Sequence, residues 1–202
     1  LFLGSIIGMS IAIRTNVIAM GFLFPFSALT LYMYASQFKK KLLIGNILIA
    51  VLSGLSLLVV ALFEPHFYPN MQFVLIYTVF AFLLSLVREL IKDCEDIDGD
   101  ERGQRKTFPI LFGISKAKML ALFFLILNAA AIVYFLYVYF FRNTVISYWY
   151  LCSLFLIPLA ALLYLIITAS EKKDFYYASV FSKIVMLYGV LSMIPFYYFF
   201  LK

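Results

Sequence analysis

Polar positions are scarce along this chain, and where they fall divides it into apolar runs. Near-continuous apolar stretches cover residues 1–13, 17–36, 42–63, 71–92, 117–141, 147–169 and 175–201, separated by short clusters of charged residues, Pro and Asn. Most are about 20 residues long, and a helix of that length, rising 1.5 Å per residue, crosses a hydrocarbon core of roughly 30 Å. The pattern predicts an all-α fold, a polytopic transmembrane bundle with seven helices present. A closed β-barrel does not fit. Its strands would alternate polar and apolar residues over about ten positions, whereas these runs are continuously apolar and twice as long.

Composition agrees. Apolar residues make up 65% of the 202 positions and charged residues 13%, and the mean hydropathy is +1.04, far above that of a soluble domain. The 23 Phe and 15 Tyr also gather near run ends, as in "FYYA" and "PFYYFFLK", where rings anchor at a membrane interface. Cys94 and Cys152 are too few and too differently placed for a disulfide framework or a metal site, so both are expected to be free thiols. The first run begins without Met and without the basic flank of a signal peptide, so the chain is expected to be part of a longer protein.

Charge sets an expected orientation. Hairpin loops of a helical bundle alternate sides, and sorting the sixteen basic residues accordingly gives thirteen on one side and three on the other, Arg14, Arg142 and Lys202. The richer side holds the loop after the fourth run, which the positive-inside rule places in the cytoplasm. The net charge of +6 is therefore mostly topology, and a nucleic-acid partner is not expected, because the basic residues lie in separate short loops. Lys183, about nine residues into the last run, either snorkels to the interface or faces an internal cavity. Asn46 and Asn128, inside runs, are read as interhelical hydrogen bonds ahead of substrate contacts.

The exceptional stretch is "LIKDCEDIDGDERGQRKTFP", residues 90–109. Seven of the ten acidic residues fall between Glu89 and Glu101, followed at once by Arg102, Arg105 and Lys106. If the fourth helix continues past Lys92, residues 89, 93, 96 and 100, spaced 4, 3 and 4 apart, share one face, and Glu95 and Asp98 point elsewhere. Gly99 is a candidate break in that column. Stacked carboxylates repel and raise one another's pKa unless a cation neutralises them, which suits a hard metal. Magnesium takes one or two carboxylates, keeps waters and shares its remaining positions with phosphates, and Arg and Lys follow in sequence. An EF-hand fails on spacing: with Asp96, Asp98 and Asp100 as its first ligands, Glu101 stands where Gly is required and Thr107 where the bidentate Glu belongs. A solvated charge run marking a cytoplasmic turn is the plainer alternative.

"RELIKDCEDIDGDERGQRKTFPILFG", from Arg88 to Gly113, closely resembles the second aspartate-rich motif of the UbiA superfamily of intramembrane prenyltransferases, approximately K-D-x-E-D-x-x-G-D-x-x-x-G-x-x-T-x-P-x-x-x-G. "YASQFKKKLLIGNILIA", residues 34–50, resembles more weakly that family's Tyr-rich helix end, basic pair (here Lys39 and Lys40) and Gly-Asn. The resemblance implies a nine-helix fold whose helices three to nine correspond to the seven runs. Residues 1–202 would then be a single prenyltransferase domain lacking the first two helices and the first aspartate-rich motif. It implies Mg2+-dependent transfer of a prenyl chain from an allylic isoprenoid diphosphate to an acceptor, within an inner or plasma membrane and in contact with its lipids. Asp96 and Asp100 would be the main metal carboxylates and catalytic residues, with Asp93 a third ligand. Lys39, Lys40, Arg102, Arg105 and Lys106 would be diphosphate contacts.

The run "REL-KD-ED-DGD" with "KTFP" most resembles the ether-lipid branch, whose acceptor is geranylgeranylglyceryl phosphate. An aromatic acceptor, 4-hydroxybenzoate or dihydroxynaphthoate, is the alternative. From another class, a cation transporter would require ionisable residues deep in several runs, where Lys183 is almost alone, and a non-catalytic membrane scaffold is a further alternative.

Overall fold

The structure is a computed structural model and describes residues 2–14, 21–36, 42–62, 67–140 and 145–196. In chain order its helices are α1 (Phe2–Arg14), α2 (Leu23–Ser36), α3 (Ile44–Leu62), α4 (Phe67–Glu95), α5 (Ile97–Arg102), α6 (Phe108–Phe112), α7 (Ile114–Phe140), α8 (Val145–Thr168), α9 (Lys172–Leu191) and α10 (Met193–Phe196). Each of the seven apolar runs carries one long helix, and no strand occurs among the described residues. Among the described residues two stretches, Met71–Glu95 and Ile114–Val138, are long and apolar enough to cross a membrane. Leu3–Arg14, Leu23–Tyr34, Ile44–Val59 and Cys152–Thr168 form shorter apolar helices.

Helix α4 is the hub, packed against α3, α7 and α9. Its buried positions Phe80, Leu84, Val87, Ile91 and Cys94 recur every three or four residues, so one stripe of a continuously apolar helix meets its neighbours. Helix α7 does the same with Ala117, Ala121, Leu125, Asn128, Ile132 and Leu136. Its opposite side exposes Met119, Phe123, Ile126, Tyr134 and Tyr137. A helix apolar on both its packed and its open face is adapted to a lipid surround.

Polar side chains tie the helices together. Asn128 is fully buried and donates Nδ2–H to the Phe80 carbonyl of α4 at 3.1 Å, the interhelical bond expected of it. The Ser53 and Ser85 hydroxyls pair at 3.1 Å between α3 and α4. Lys118, counted from sequence only as a topological charge, donates Nζ–H to the carbonyls of Ile167 at 2.8 Å and Ala169 at 2.7 Å, satisfying the end of α8. Lys183 is exposed, which agrees with snorkelling and not with a cavity-facing role. Cys94 and Cys152 are free and buried.

Two ends differ from the apolar runs. Helix α4 extends to Phe67 and Glu95, beyond 71–92, because an apolar run marks the lipid-soluble part of a helix and not its hydrogen-bonded length. The last run does not form one helix. Helix α9 stops at Leu191, and a turn at Ser192 precedes α10. Pro195 is the reason: it has no N–H to offer the Leu191 carbonyl four residues back. Nearby, Gly189 lets α9 approach α4 closely, since a Cβ there would sit 2.5 Å from Phe80 Cε1.

Candidate active site

Helix α4 ends at Glu95, and Asp96 stands alone at a bend before α5. The bend is mild. Asp96 has φ −98° and ψ 12°, and the helical bonding runs through it: Asp96 N–H donates to Lys92 O at 3.0 Å and Asp100 N–H to Asp96 O at 2.9 Å. The break falls at Asp96 and not at Gly99, which lies inside α5, and the one-face spacing survives. Glu89, Asp93, Asp96 and Asp100 line a single pocket, and neither Asp98 nor Glu95 lines it.

Tyr34 of α2, Gly45 and Asn46 of α3, Lys92, Arg105 and Thr107 complete the lining, and the cavity holds about 60 Å³, room for a few waters. Asn46 Nδ2 donates to Asp93 Oδ2 at 2.7 Å, so α3 fixes the orientation of a candidate ligand carboxylate. Arg105 Nη1 donates to Asp100 Oδ1 at 2.6 Å, an ion pair in which the Asp100 side chain is 5% exposed and that of Arg105 32%. Glu89 pairs with Arg88 at 2.6 Å.

Arg105 reaches Asp100 through the backbone. Helix α5 closes with Arg105 N–H on Asp100 O at 2.9 Å and Gln104 N–H on Glu101 O at 3.0 Å, the paired bonds of a Schellman turn. Such a turn needs a left-handed residue, and Gln104 supplies it at φ 52°. The motif quoted above has Gly at that position. Here the Gly is Gly103, one residue earlier, where φ is −80° and the backbone conformation does not call for Gly. A non-Gly residue in the left-handed region costs roughly 1–2 kcal/mol. Gln104→Gly is therefore expected to stabilise the protein by about 1 kcal/mol, read as a higher thermal midpoint in detergent. A lower midpoint would show that the exposed Gln104 side chain makes a contact worth more than the strain.

The predicted site residues separate. Asp93, Asp96, Asp100 and Arg105 are brought together. Arg102 is exposed and turns away, donating Nε–H to the Asp98 carbonyl at 3.1 Å, and Lys106 is exposed and outside the lining. Lys39 and Lys40 lie outside the described residues. Tyr34, Asn46, Lys92 and Thr107 were not assigned to the site from sequence. Asn46 and Thr107 had a signal, since both stand at motif positions. Glu89 belonged to the one-face column without a role.

The donor chemistry fits magnesium. Among the described residues no three His, Cys, Asp or Glu side chains form a ready-made metal cage. Magnesium does not require one, since it is usually held by one or two carboxylates, with waters and phosphate oxygens completing its shell. Asp96 and Asp100, with Asp93 beside them, are the residues that would hold it, and Arg105 is bonded to one Asp100 oxygen.

A family model described as the UbiA prenyltransferase family matches residues 1–200. A digeranylgeranylglyceryl phosphate synthase of Methanosphaera stadtmanae is 32% identical over 193 residues, covering 95% of this chain and 66% of that protein. One from Thermococcus gammatolerans is 33% identical over 118 residues, or 58% of this chain and 41% of that protein. A solved structure from work on digeranylgeranylglyceryl phosphate synthase in membranes superimposes with a TM-score of 0.69 at 26% identity, over 95% of this chain and 65% of that one. The chain thus spans no more than about two thirds of the length of these proteins.

Proposed function

The chain belongs to the UbiA prenyltransferase family, and from that premise we propose that it transfers a geranylgeranyl chain from geranylgeranyl diphosphate to the hydroxyl of geranylgeranylglyceryl phosphate. The observation that carries the proposal is the convergence of Asp93, Asp96, Asp100 and Arg105 in one pocket where the apolar helix α4 ends. A diphosphate at that mouth meets charge, while its hydrocarbon tail meets the bundle. A second cavity of about 210 Å³, lined by Ser53, Leu57, Tyr77, Phe80, Met186 and Gly189 among others, lies between α3, α4 and α9. Phe80 precedes Asp93 by thirteen residues, roughly 20 Å along the helix. Relatives named for the digeranylgeranylglyceryl product support the lipid acceptor.

In the reaction, the bond between C1 of the allylic chain and the diphosphate oxygen breaks, an ether bond forms from C1 to the acceptor oxygen, and the proton of the acceptor hydroxyl passes to the departing diphosphate. Diphosphate leaves slowly unless its charge is offset, and magnesium, when bound, supplies positive charge for that purpose. Asp96 and Asp100 hold the site, and Asn46 orients Asp93 within it. Arg105 is placed to exchange its bond to Asp100 for one to phosphate.

The proposal includes multi-pass insertion with the acidic pocket facing the cytoplasm, as the thirteen-to-three distribution of basic residues supports. Sealed vesicles of known orientation test it. With the cytoplasmic face outward, added geranylgeranyl diphosphate and geranylgeranylglyceryl phosphate should yield the diether in the presence of magnesium, and EDTA should abolish the reaction. Vesicles of the opposite orientation should be silent until permeabilised. Turnover undiminished by chelation would remove the metal. Prenylation of 4-hydroxybenzoate in place of the lipid would overturn the acceptor.

A further inference from the structure

Thr107 carries a hydroxyl that the fold leaves without a use. The residue is 8% exposed, its Oγ1 is out of solvent, and that atom has no hydrogen-bond partner among the described residues. It lines the acidic pocket together with Asp93, Asp96, Asp100 and Arg105.

The ordinary task of a Thr in this place is to cap the helix that follows. Thr107 directly precedes α6 with extended backbone, φ −77° and ψ 161°, yet its side chain makes no capping bond. Sequence explains part of this, since a cap oxygen accepts from the second or third helical N–H, and the second position is Pro109. A buried hydroxyl with no partner destabilises the protein that carries it, and a Val of the same shape would not. A ligand bringing an acceptor oxygen would remove that cost.

The local backbone indicates which ligand. Residues 105–107 belong to no helix, and the backbone is extended at Thr107. Arg105 and Thr107 both line the pocket, and Lys106 between them is exposed. A guanidinium beside a hydroxyl donor is a phosphate-binding pair. The carboxylates already supply oxygens for a cation, so the added group is needed as a donor. Resting on the prenyl-transfer reading above, we infer that Thr107 is a substrate-binding residue whose Oγ1–H donates a hydrogen bond to a phosphate oxygen of the isoprenoid diphosphate, beside the Arg105 guanidinium.

Thr107→Val removes the hydroxyl at constant shape, and Thr107→Ser keeps it. In the whole protein, Val should raise the KM for geranylgeranyl diphosphate by about tenfold, the scale of one hydrogen bond to a charged group, and Ser should stay within a few-fold of wild type. The ligand-free thermal midpoint of the Val variant should be unchanged or higher, because an unpartnered group has been removed. A readout without turnover accompanies these: magnesium pyrophosphate should raise the midpoint of wild type and of the Ser variant more than that of the Val variant. A wild type that neither turns over the diphosphate nor responds to pyrophosphate sinks the prenyl-transfer reading and this inference with it. A wild type that does both, with a Val variant behaving identically, overturns the role of Thr107 alone. So does a Val variant that loses ligand-free stability while keeping its KM, since the hydroxyl would then be structural.

Discussion

Asp100→Asn and Asp96→Asn should each lower prenyl transfer by a factor on the order of a hundred or more, while Asp98→Asn stays within a few-fold of wild type. All three substitutions remove one negative charge from the same short segment, so a general field at the membrane surface would treat them alike. Geometry does not. Asp96 and Asp100 line the pocket, whereas Asp98 is exposed on the other side of α5, where its backbone carbonyl accepts from Arg102. Asn keeps the size of Asp, so packing around Asp100, whose side chain is 5% exposed, should survive. The measurement is magnesium-dependent turnover of geranylgeranyl diphosphate at matched expression. Equal losses at all three positions, or none, would remove the case for Asp96 and Asp100 as ligands.

Arg105→Met should raise the KM for geranylgeranyl diphosphate by ten- to a hundredfold, the range that corresponds to roughly 1.5–3 kcal/mol for a hydrogen bond to a charged group. In the ligand-free protein Arg105 offsets the charge of Asp100, and with the substrate bound it is placed to offset phosphate. Its removal takes from a buried carboxylate its ion-pair partner, so the ligand-free protein should also lose stability, and magnesium should restore part of it. Arg105→Lys should recover only part of the affinity, because an ammonium lacks the planar two-donor fork. Arg102→Met and Lys106→Met are the controls: both residues are exposed and outside the pocket, and both variants should bind the diphosphate nearly as wild type does. A KM unchanged in Arg105→Met, or raised equally in all three variants, would reduce Arg105 to a partner of Asp100.

Sequence by itself determined the helices and the acidic face. An apolar run of about 20 residues can satisfy its backbone in lipid only by bonding to itself, so the element follows from local composition. The 4, 3, 4 spacing of Glu89, Asp93, Asp96 and Asp100 is equally local, and it survives the bend at Asp96 because the backbone bonds continue through it. Arg102, Arg105 and Lys106 were equivalent in sequence, and only the fold separated them. The left-handed turn at Gln104 returns Arg105 to Asp100 and leaves the other two in solvent. Asn46 meets Asp93 across 47 residues, Lys118 meets Ala169 across 51, and Thr107 comes to line the same pocket as the acidic column. Those meetings depend on which faces of uniformly apolar helices pack together. Hydrophobic patterning cannot specify that choice in a chain whose lipid-facing and packed surfaces are made of the same residues, and close packing of side chains and a few buried hydrogen bonds decide it instead.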